Sequence, residues 1–264
     1  MSVNLLPRPF IVVLAAIAAS VAPCLAAAQP DYERESRLAE QIVDMILDGD
    51  PVWLEANERE FLGIYTEADD ARMAIVILHG RGFHPDWADT VNPLRVGLAE
   101  LGYNTLSLQM PVLEKDSSYY DYVPIFDFAH ARIESGVRFL RDNGNAKIVL
   151  LAHSCGVHMS MDWIRDKGDQ TIDAYIGLGM GATDYRQPMR EQFPLAQMRV
   201  PVLDLYGANE YPAVMRGAPE RKAMIEAAGN AQSRQFMLPQ ANHYFTDQGD
   251  ALVGAVADWL VRLE

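Results

Sequence analysis

The sequence is poor in cysteine, with Cys24 and Cys155 as the two among its 264 residues. Cys24 lies in an N-terminal segment that we expect to be removed, so the mature chain would keep Cys155 alone. A lone cysteine cannot form an internal disulfide bond, even in an oxidising compartment. The mature fold must therefore depend on its hydrophobic core.

Motifs that bind metals or nucleotides are also missing. The chain has no His-Glu-x-x-His segment, no cysteine cluster and no phosphate-binding loop. Gly80-Arg81-Gly82 follows an apolar run, as the first glycines of a dinucleotide site would. The third glycine of that fingerprint would fall at Pro85, so a dinucleotide site is not expected. We expect no cofactor and no metal.

Positive charge is scarce, with 22 Lys and Arg against 36 Asp and Glu, a net charge of -14. Removal of residues 1–28 takes away Arg8 and makes the net charge -15. Nucleic acid and anionic membrane surfaces are therefore not expected as partners. We expect the excess of acidic residues to keep the protein soluble, with binding of cations or basic substrates as the alternative.

The N-terminus lacks an apolar run long enough for a membrane span. Arg8 precedes an apolar stretch at residues 11–22, which is shorter than the roughly 20 residues of a spanning helix and ends before Pro23. Small residues follow up to Ala28. This pattern predicts a secretory signal peptide over residues 1–28, with a membrane anchor as the alternative. We expect a secreted protein, located in the periplasm, with no stable membrane span after cleavage.

The mature chain is of a length that suits one domain. Residues 31–47 are charged and carry apolar side chains at helical spacing, which predicts a lead-in helix within residues 29–50. Residues 51–264 show no internal repeat and no linker, so we expect a single domain there.

From residue 73 onward, continuous apolar runs alternate with helical segments, as a parallel sheet buried on both faces requires. Strands are predicted at residues 52–55, 60–66, 73–78, 103–108, 147–151, 173–178, 200–205 and 232–238. Helices are predicted at residues 91–101, 125–142, 157–165, 220–228 and 249–263. The pattern predicts an α/β fold whose mostly parallel eight-stranded sheet begins with an antiparallel pair and carries helices on both faces.

A candidate nucleophile, Ser154, lies between the predicted strand 147–151 and a predicted helix. A serine on such a turn stands clear of the sheet and can attack a substrate. The usual motif is Gly-x-Ser-x-Gly, and here Ala152 replaces the first glycine while Gly156 is kept. Simple capping of the helix by Ser154 is the alternative.

A candidate general base, His243, follows the last predicted strand. A serine hydroxyl needs such an imidazole to accept its proton. A surface histidine bonded to the backbone is the alternative. Glu210 follows the predicted strand 200–205 and is the expected acid that orients the histidine, with Asp184 and Asp204 remaining open.

The oxyanion of acyl transfer requires two preorganised donors. We expect the backbone N–H groups of Cys155, which follows the candidate nucleophile, and of Arg81, with Gly82 next in order. The Cys155 thiol itself is not expected to act as nucleophile. Most of the remaining histidines, which are His79, His84, His130, His153 and His158, are expected to be hydrogen-bonded structural groups.

Four segments carry a family resemblance: Ile-Leu-His-Gly at 77–80, His-Pro-Asp-Trp at 84–87, Pro-Leu-Arg at 93–95 and Asn-Thr-Leu-Ser-Leu-Gln-Met-Pro at 104–111. They resemble the bacterial domain-of-unknown-function 3530 family of the α/β-hydrolase superfamily, and the first is also similar to small carboxylesterases. The order serine, acid, histidine is that of the superfamily. The resemblance implies an α/β-hydrolase fold with Ser154, Glu210 and His243 as a catalytic triad. The chain departs from the usual pattern at Ala152 and in having Glu rather than Asp at 210.

The expected site is open. About twenty residues separate the predicted strands 173–178 and 200–205, too few for a large helical lid, so we expect a minimal cap. The aromatic stretch at 119–122 would either line the substrate pocket or pack as a surface loop. We expect a secreted, carboxylesterase-like serine hydrolase that cleaves a small-molecule ester through an acyl-enzyme. Amidase or peptidase action by the same residues, and a non-catalytic envelope protein that keeps the scaffold for binding, remain open, as does the oligomeric state.

Overall fold

A computed structural model describes residues 28–264 together with Met1. The expected signal peptide, apart from its two end residues, lies outside the described residues. Within the described part of the chain, no helix is both long enough and apolar enough to cross a membrane.

Eight strands form one sheet. They are β1 (Asp50–Ala56), β2 (Arg59–Thr66), β3 (Ala74–Leu78), β4 (Asn104–Leu108), β5 (Ile148–His153), β6 (Ala174–Leu178), β7 (Val202–Asn209) and β8 (Arg234–Asn242). Their order across the sheet is β1-β2-β4-β3-β5-β6-β7-β8. β2 pairs antiparallel with β1 and with β4. The six strands from β3 to β8 all run parallel to one another. The predicted sheet, an antiparallel pair followed by six parallel strands, is confirmed.

Among residues 28–264, seven α-helices accompany the sheet. They are α1 (Tyr32–Ile42), α2 (Val91–Glu100), α3 (Tyr119–Tyr122), α4 (Phe128–Asp142), α5 (Cys155–Lys167), α6 (Pro212–Ala227) and α7 (Gly249–Leu260). The apolar sides of α4 and α5 pack on one face of the sheet and those of α2 and α7 on the other. All five residues of β3 are buried, because helices cover the central strands on both faces. That two-sided burial explains the uninterrupted apolar runs in the sequence.

The lead-in helix α1 packs on the outer part of the sheet. Its first turn is capped by Asp31, whose side chain accepts from the backbone N–H of Arg34 at 2.9 Å. Ala39 and Ile42 are buried in a small cluster with residues of β2. The helix is shorter than the predicted 31–47, because a 3-10 turn at Val43–Met45 follows it and β1 begins at residue 50.

Two of the predicted boundaries that were wrong belong to elements that contain a proline. The helix predicted at 220–228 begins at Pro212 and continues through Pro219, which lacks the N–H that would bond the carbonyl of Met215. Met215 is exposed, so water can bond that carbonyl. The strand predicted to end at 238 continues through Pro239 to residue 242. β8 is an edge strand, and proline is tolerated at a sheet edge.

Candidate active site

Three of the predicted site residues each lie one position beyond the end of a parallel strand. Ser154 follows β5, Glu210 follows β7 and His243 follows β8. The carboxyl ends of parallel strands meet at one edge of a sheet, which is where open α/β sheets bind their ligands. The fold therefore brings together three residues that are up to 89 positions apart in the chain.

The backbone at Ser154 is strained. Its φ is 54° and its ψ is -114°, a conformation that costs a non-glycine residue about 1–3 kcal/mol. The turn is possible because Gly156 lies tightly against β3: a Cβ on Gly156 would lie 2.7 Å from the carbonyl oxygen of His79. Ala152, which replaces the first glycine of the usual motif, is fully buried in β5. Such a sharp strand-to-helix turn projects the serine hydroxyl above the sheet.

A hydrogen-bonded chain joins the three side chains. Nε2 of His243 lies 2.8 Å from Oγ of Ser154, and Nδ1 of His243 lies 2.6 Å and 2.9 Å from the two carboxylate oxygens of Glu210. The side chains of His243 and Glu210 are 3% and 0% exposed. Because Nδ1 donates to the carboxylate, Nε2 of a neutral imidazole is free to accept the serine proton.

The two other candidate acids bind arginines instead of His243. Asp204 is fully buried and accepts from Nε of Arg221 at 2.8 Å, and burial raises the pKa of its carboxyl. Asp184 accepts from both terminal nitrogens of Arg81, at 2.5 Å and 3.0 Å, and these bonds lower the pKa of Asp184. Among the three acids that the sequence left open, Glu210 is the one in contact with His243.

The expected oxyanion donors lie beside Ser154. Arg81 and Cys155 line the same pocket as Ser154. Within residues 28–264 their backbone N–H groups donate to no other protein group. Gly80 brings the loop after β3 against the serine, since a Cβ on Gly80 would lie 3.3 Å from Cβ of Ser154. Both amides are therefore free to donate to a ligand in the pocket.

The Cys155 side chain is buried, and burial raises the pKa of its thiol to about 12. A thiol is nucleophilic as its thiolate, which this environment disfavours strongly. The sulfur is therefore unsuited to nucleophilic attack.

Three buried histidines near the site are neutral groups that bond the backbone. His153 donates from Nε2 to the carbonyl of His243 at 2.8 Å, and His158 donates from Nε2 to the carbonyl of Ala182 at 2.9 Å. His79 donates from Nδ1 to the carbonyl of Gly80 at 2.7 Å. Burial lowers the pKa of His79 and His153 to about 3 and that of His158 to about 4.

Two tyrosines were missed by the sequence reasoning. The ring of Tyr211 stacks on the imidazole of His243, and its hydroxyl lies 2.7 Å from that of Tyr244. The backbone N–H of Tyr211 donates to Glu210 at 2.9 Å. Each tyrosine follows a predicted site residue directly in the chain, and that adjacency was the available signal.

Gly179 was also missed. It follows β6 with a φ of 62°, and a Cβ there would lie 2.7 Å from Oε1 of Glu210 and 2.9 Å from the ring of His243. The space occupied by the acid and the histidine therefore depends on this glycine. A glycine directly after a predicted strand was its signal in the sequence.

A pocket of about 650 Å³ opens over Ser154, a size suited to a small molecule. Phe83, Tyr119, Tyr211 and Tyr244 contribute aromatic side chains to its wall. Of the aromatic stretch at 119–122, which folds as α3, Tyr119 lines the pocket, whereas Tyr122 is buried in the core. Between β6 and β7 the chain forms one 3-10 turn and no α-helix, so the cap is minimal as predicted.

The sheet order, the helices on both faces and the turn that carries Ser154 define an α/β-hydrolase fold. The chain belongs to the family described as "Protein of unknown function (DUF3530)", whose model matches residues 10–121 and 125–262. The resemblance found in the sequence is thereby confirmed. Among curated proteins, none matches the sequence significantly.

Solved structures of hydrolases share the fold at low sequence identity. Est1E from Butyrivibrio proteoclasticus matches with a TM-score of 0.64 and 13% identity over 82% of this chain and 99% of its own. An esterase from Pyrococcus furiosus matches with a TM-score of 0.62 and 15% identity, over 84% of this chain and 95% of its own. An α/β serine hydrolase without a lid from Xanthomonas campestris matches with a TM-score of 0.56 and 14% identity, over 82% of this chain and 95% of its own. At such identities the similarity establishes the fold.

Proposed function

We propose that the protein is a serine hydrolase that cleaves carboxylic esters through an acyl-enzyme. The observation that carries the proposal is the chain of hydrogen bonds from Ser154 through His243 to Glu210, with Ser154 on a strained turn that lines a pocket. A structural serine rarely combines backbone strain, a bond to an imidazole and access to a cavity. Strain of this kind is typical of functional sites.

In the first step, Oγ of Ser154 attacks the ester carbonyl carbon and its proton passes to Nε2 of His243. The new C–O bond forms as the carbonyl π electrons move to oxygen. Glu210 stabilises the resulting imidazolium through Nδ1. When the C=O bond reforms, the bond to the alcohol oxygen breaks, and His243 returns the proton to the leaving alcohol.

The negative charge that develops on the carbonyl oxygen requires donors fixed in advance. The backbone N–H groups of Cys155 and Arg81 fill this role in the proposal. Removal of one such donor from a hydrolase typically costs about 10²–10³ in kcat. The ion pair of Arg81 with Asp184 ties the loop after β3 to the loop after β6 and so holds the Arg81 backbone in place.

In the second step, water attacks the acyl-enzyme. His243 accepts a proton from the water, the tetrahedral intermediate forms at the same donors, and its collapse breaks the bond to Ser154. The proton returns to Oγ and a carboxylic acid leaves. The structural relative Est1E, which binds ferulic acid, supports an acid as a ligand of this fold.

The shape of the pocket supports esters of small or extended molecules. Aromatic side chains contribute to its wall, and the short connection between β6 and β7 leaves it open. The proposal also includes export, with residues 1–28 as a signal peptide and the periplasm as the destination.

Hydrolysis of p-nitrophenyl butyrate by the purified mature protein tests the proposal. Ser154→Ala and His243→Ala should each lower kcat by at least about 10³-fold. Ser36→Ala, which removes an exposed hydroxyl from α1, is the matched control and should retain wild-type turnover. Turnover that survives in Ser154→Ala would contradict the proposal. Cleavage of the matching p-nitroanilide with equal kcat/KM would assign the site to amides instead.

A further inference from the structure

The pocket over Ser154 reverses the charge of the rest of the protein. The whole chain carries a net charge of -14. The lining of the pocket instead holds four basic side chains and one acidic side chain, a net charge of +3 with the histidines neutral. A cleft whose sign opposes that of its surroundings attracts small ligands of the opposite charge.

Three of the four basic groups have no acidic partner. Arg81 is paired with Asp184, whereas Lys115, Arg186 and Arg216 have no carboxylate within 4.0 Å among residues 28–264. All three are exposed. Half of the arginines elsewhere in residues 28–264 are bound to carboxylates: Arg37, Arg72, Arg95, Arg132, Arg141, Arg165 and Arg221. In so acidic a protein, three unpaired cations at one cavity are available to a ligand.

The three cations come from three separate parts of the chain. Lys115 lies in the loop after β4, Arg186 in the loop after β6, and Arg216 in the first turns of α6 after β7. All three segments leave the sheet at the edge that carries Ser154. The cluster is therefore a property of the site and not of one basic helix face.

We propose that the substrate is an ester with a negatively charged group, a carboxylate or a phosphate, bound by Lys115, Arg186 and Arg216. The inference rests on the proposed serine hydrolase. Guanidinium groups bind carboxylate and phosphate oxygens in pairs of hydrogen bonds, which places the anion as well as attracting it. The scissile ester then lies toward Ser154 and the anion toward the mouth of the pocket.

Matched pairs of synthetic esters test the inference. Mono-p-nitrophenyl adipate carries a terminal carboxylate, and p-nitrophenyl methyl adipate is its neutral counterpart. On the alcohol side, 4-acetoxybenzoate and 4-acetoxyphenyl phosphate compare the two anions with neutral methyl 4-acetoxybenzoate. For wild type we expect kcat/KM to be on the order of tenfold higher for at least one anionic ester than for its neutral partner, since each exposed ion pair contributes up to roughly fivefold. The charged ester whose kcat/KM exceeds that of its neutral partner by the larger factor shows whether the site prefers a carboxylate or a phosphate.

Salt and substitution should both remove the preference. At about 0.5 M NaCl the Debye length shrinks to roughly 4 Å, so the ratio of anionic to neutral kcat/KM should fall to about twofold or less. In the triple variant Lys115→Gln, Arg186→Gln and Arg216→Gln the ratio should approach one. The matched control is Arg138→Gln, Arg199→Gln and Arg262→Gln, which removes three exposed charges outside the pocket and should keep the wild-type ratio.

The outcomes separate this inference from the function on which it rests. Equal kcat/KM for the charged and neutral esters, with turnover dependent on Ser154, would overturn the anionic substrate and leave the hydrolase intact. A ratio that falls equally in both triple variants would also overturn it, because the effect would then come from net charge. If wild type cleaves no ester of either kind, both proposals fall.

Discussion

The phenol ring of Tyr211 lies over the imidazole of His243, with ring centroids 4.4 Å apart and planes inclined by 29°. The same residue donates its backbone N–H to Glu210 and bonds the hydroxyl of Tyr244. Tyr211 therefore touches both His243 and Glu210. Its ring also covers one face of the imidazole.

Tyr211 is expected to position His243. Tyr211→Ala removes the stacking, worth about 0.5–1.5 kcal/mol, and should lower kcat/KM for p-nitrophenyl butyrate by about 2- to 10-fold. Tyr211→Phe keeps the ring and should recover most of the activity, whereas a purely structural role of the hydroxyl pair would make both variants equal. A pH profile of kcat/KM whose acid limb moves in Tyr211→Ala and not in Tyr211→Phe would establish positioning of the imidazole. Unchanged rate and profile in Tyr211→Ala would refute it.

Gly179 is expected to be essential for the alignment of Glu210. In Gly179→Ala the new methyl group would meet Oε1 of Glu210 and the ring of His243, so the two must separate. We expect a loss of kcat of at least about 10²-fold, as a misplaced catalytic group typically causes. Gly144→Ala is the matched control, since its φ of 82° is similarly left-handed and its Cβ would contact nothing within 4 Å. If both variants lose stability alike and neither loses kcat, the account of Gly179 is wrong.

The buried histidines should make the fold sensitive to mild acid. Burial lowers the pKa of His79 to about 3, whereas an unfolded histidine titrates near 6.5. At a pH between these two values His79 binds a proton in the unfolded state and not in the folded state. Its contribution to the free energy of unfolding is therefore complete above about pH 6.5 and is lost as the pH falls. Its loss by pH 5.0 amounts to about 2 kcal/mol.

Urea unfolding at pH 7.5 and 5.0 measures this effect. Between pH 7.5 and pH 5.0 the free energy of unfolding should fall in both proteins. The fall should be about 2 kcal/mol smaller in His79→Gln than in wild type, whatever the absolute stability of the variant. Burial raises the pKa of Asp204, which acts in the opposite direction in both proteins, so the comparison isolates the histidine. Parallel declines in the two proteins would show that His79 titrates normally in the folded state.

Export is tested by the N-terminus of the mature protein. Expression of the full chain in a Gram-negative host should give a periplasmic product that begins at Gln29, because the small residues up to Ala28 suit signal peptidase. Mass spectrometry of the intact protein measures the cleavage site. A product that keeps residues 1–28 in the membrane fraction would favour the anchor instead.

The local features of this chain were predictable and its loop contacts were not. Buried strands leave apolar runs in the sequence, and Ser154, Glu210 and His243 each follow such a run closely, so their shared sheet edge could be inferred. The pairing of Asp184 with Arg81 joins two loops 103 residues apart, and no periodicity reports it. The boundaries of α6 and β8 were harder to predict because each element contains a proline. The free-energy cost of a proline inside a helix or strand depends on solvent exposure and on position at a sheet edge.

The central claim, that Ser154 is a nucleophile activated by His243, is tested most directly by labelling the folded protein with a fluorophosphonate and mapping the modified peptide. We predict one phosphonyl group on Ser154, with labelling abolished in Ser154→Ala and slowed by at least about 10³-fold in His243→Ala. Absence of labelling in folded wild type, or a label on any other residue that persists in Ser154→Ala, would contradict the account.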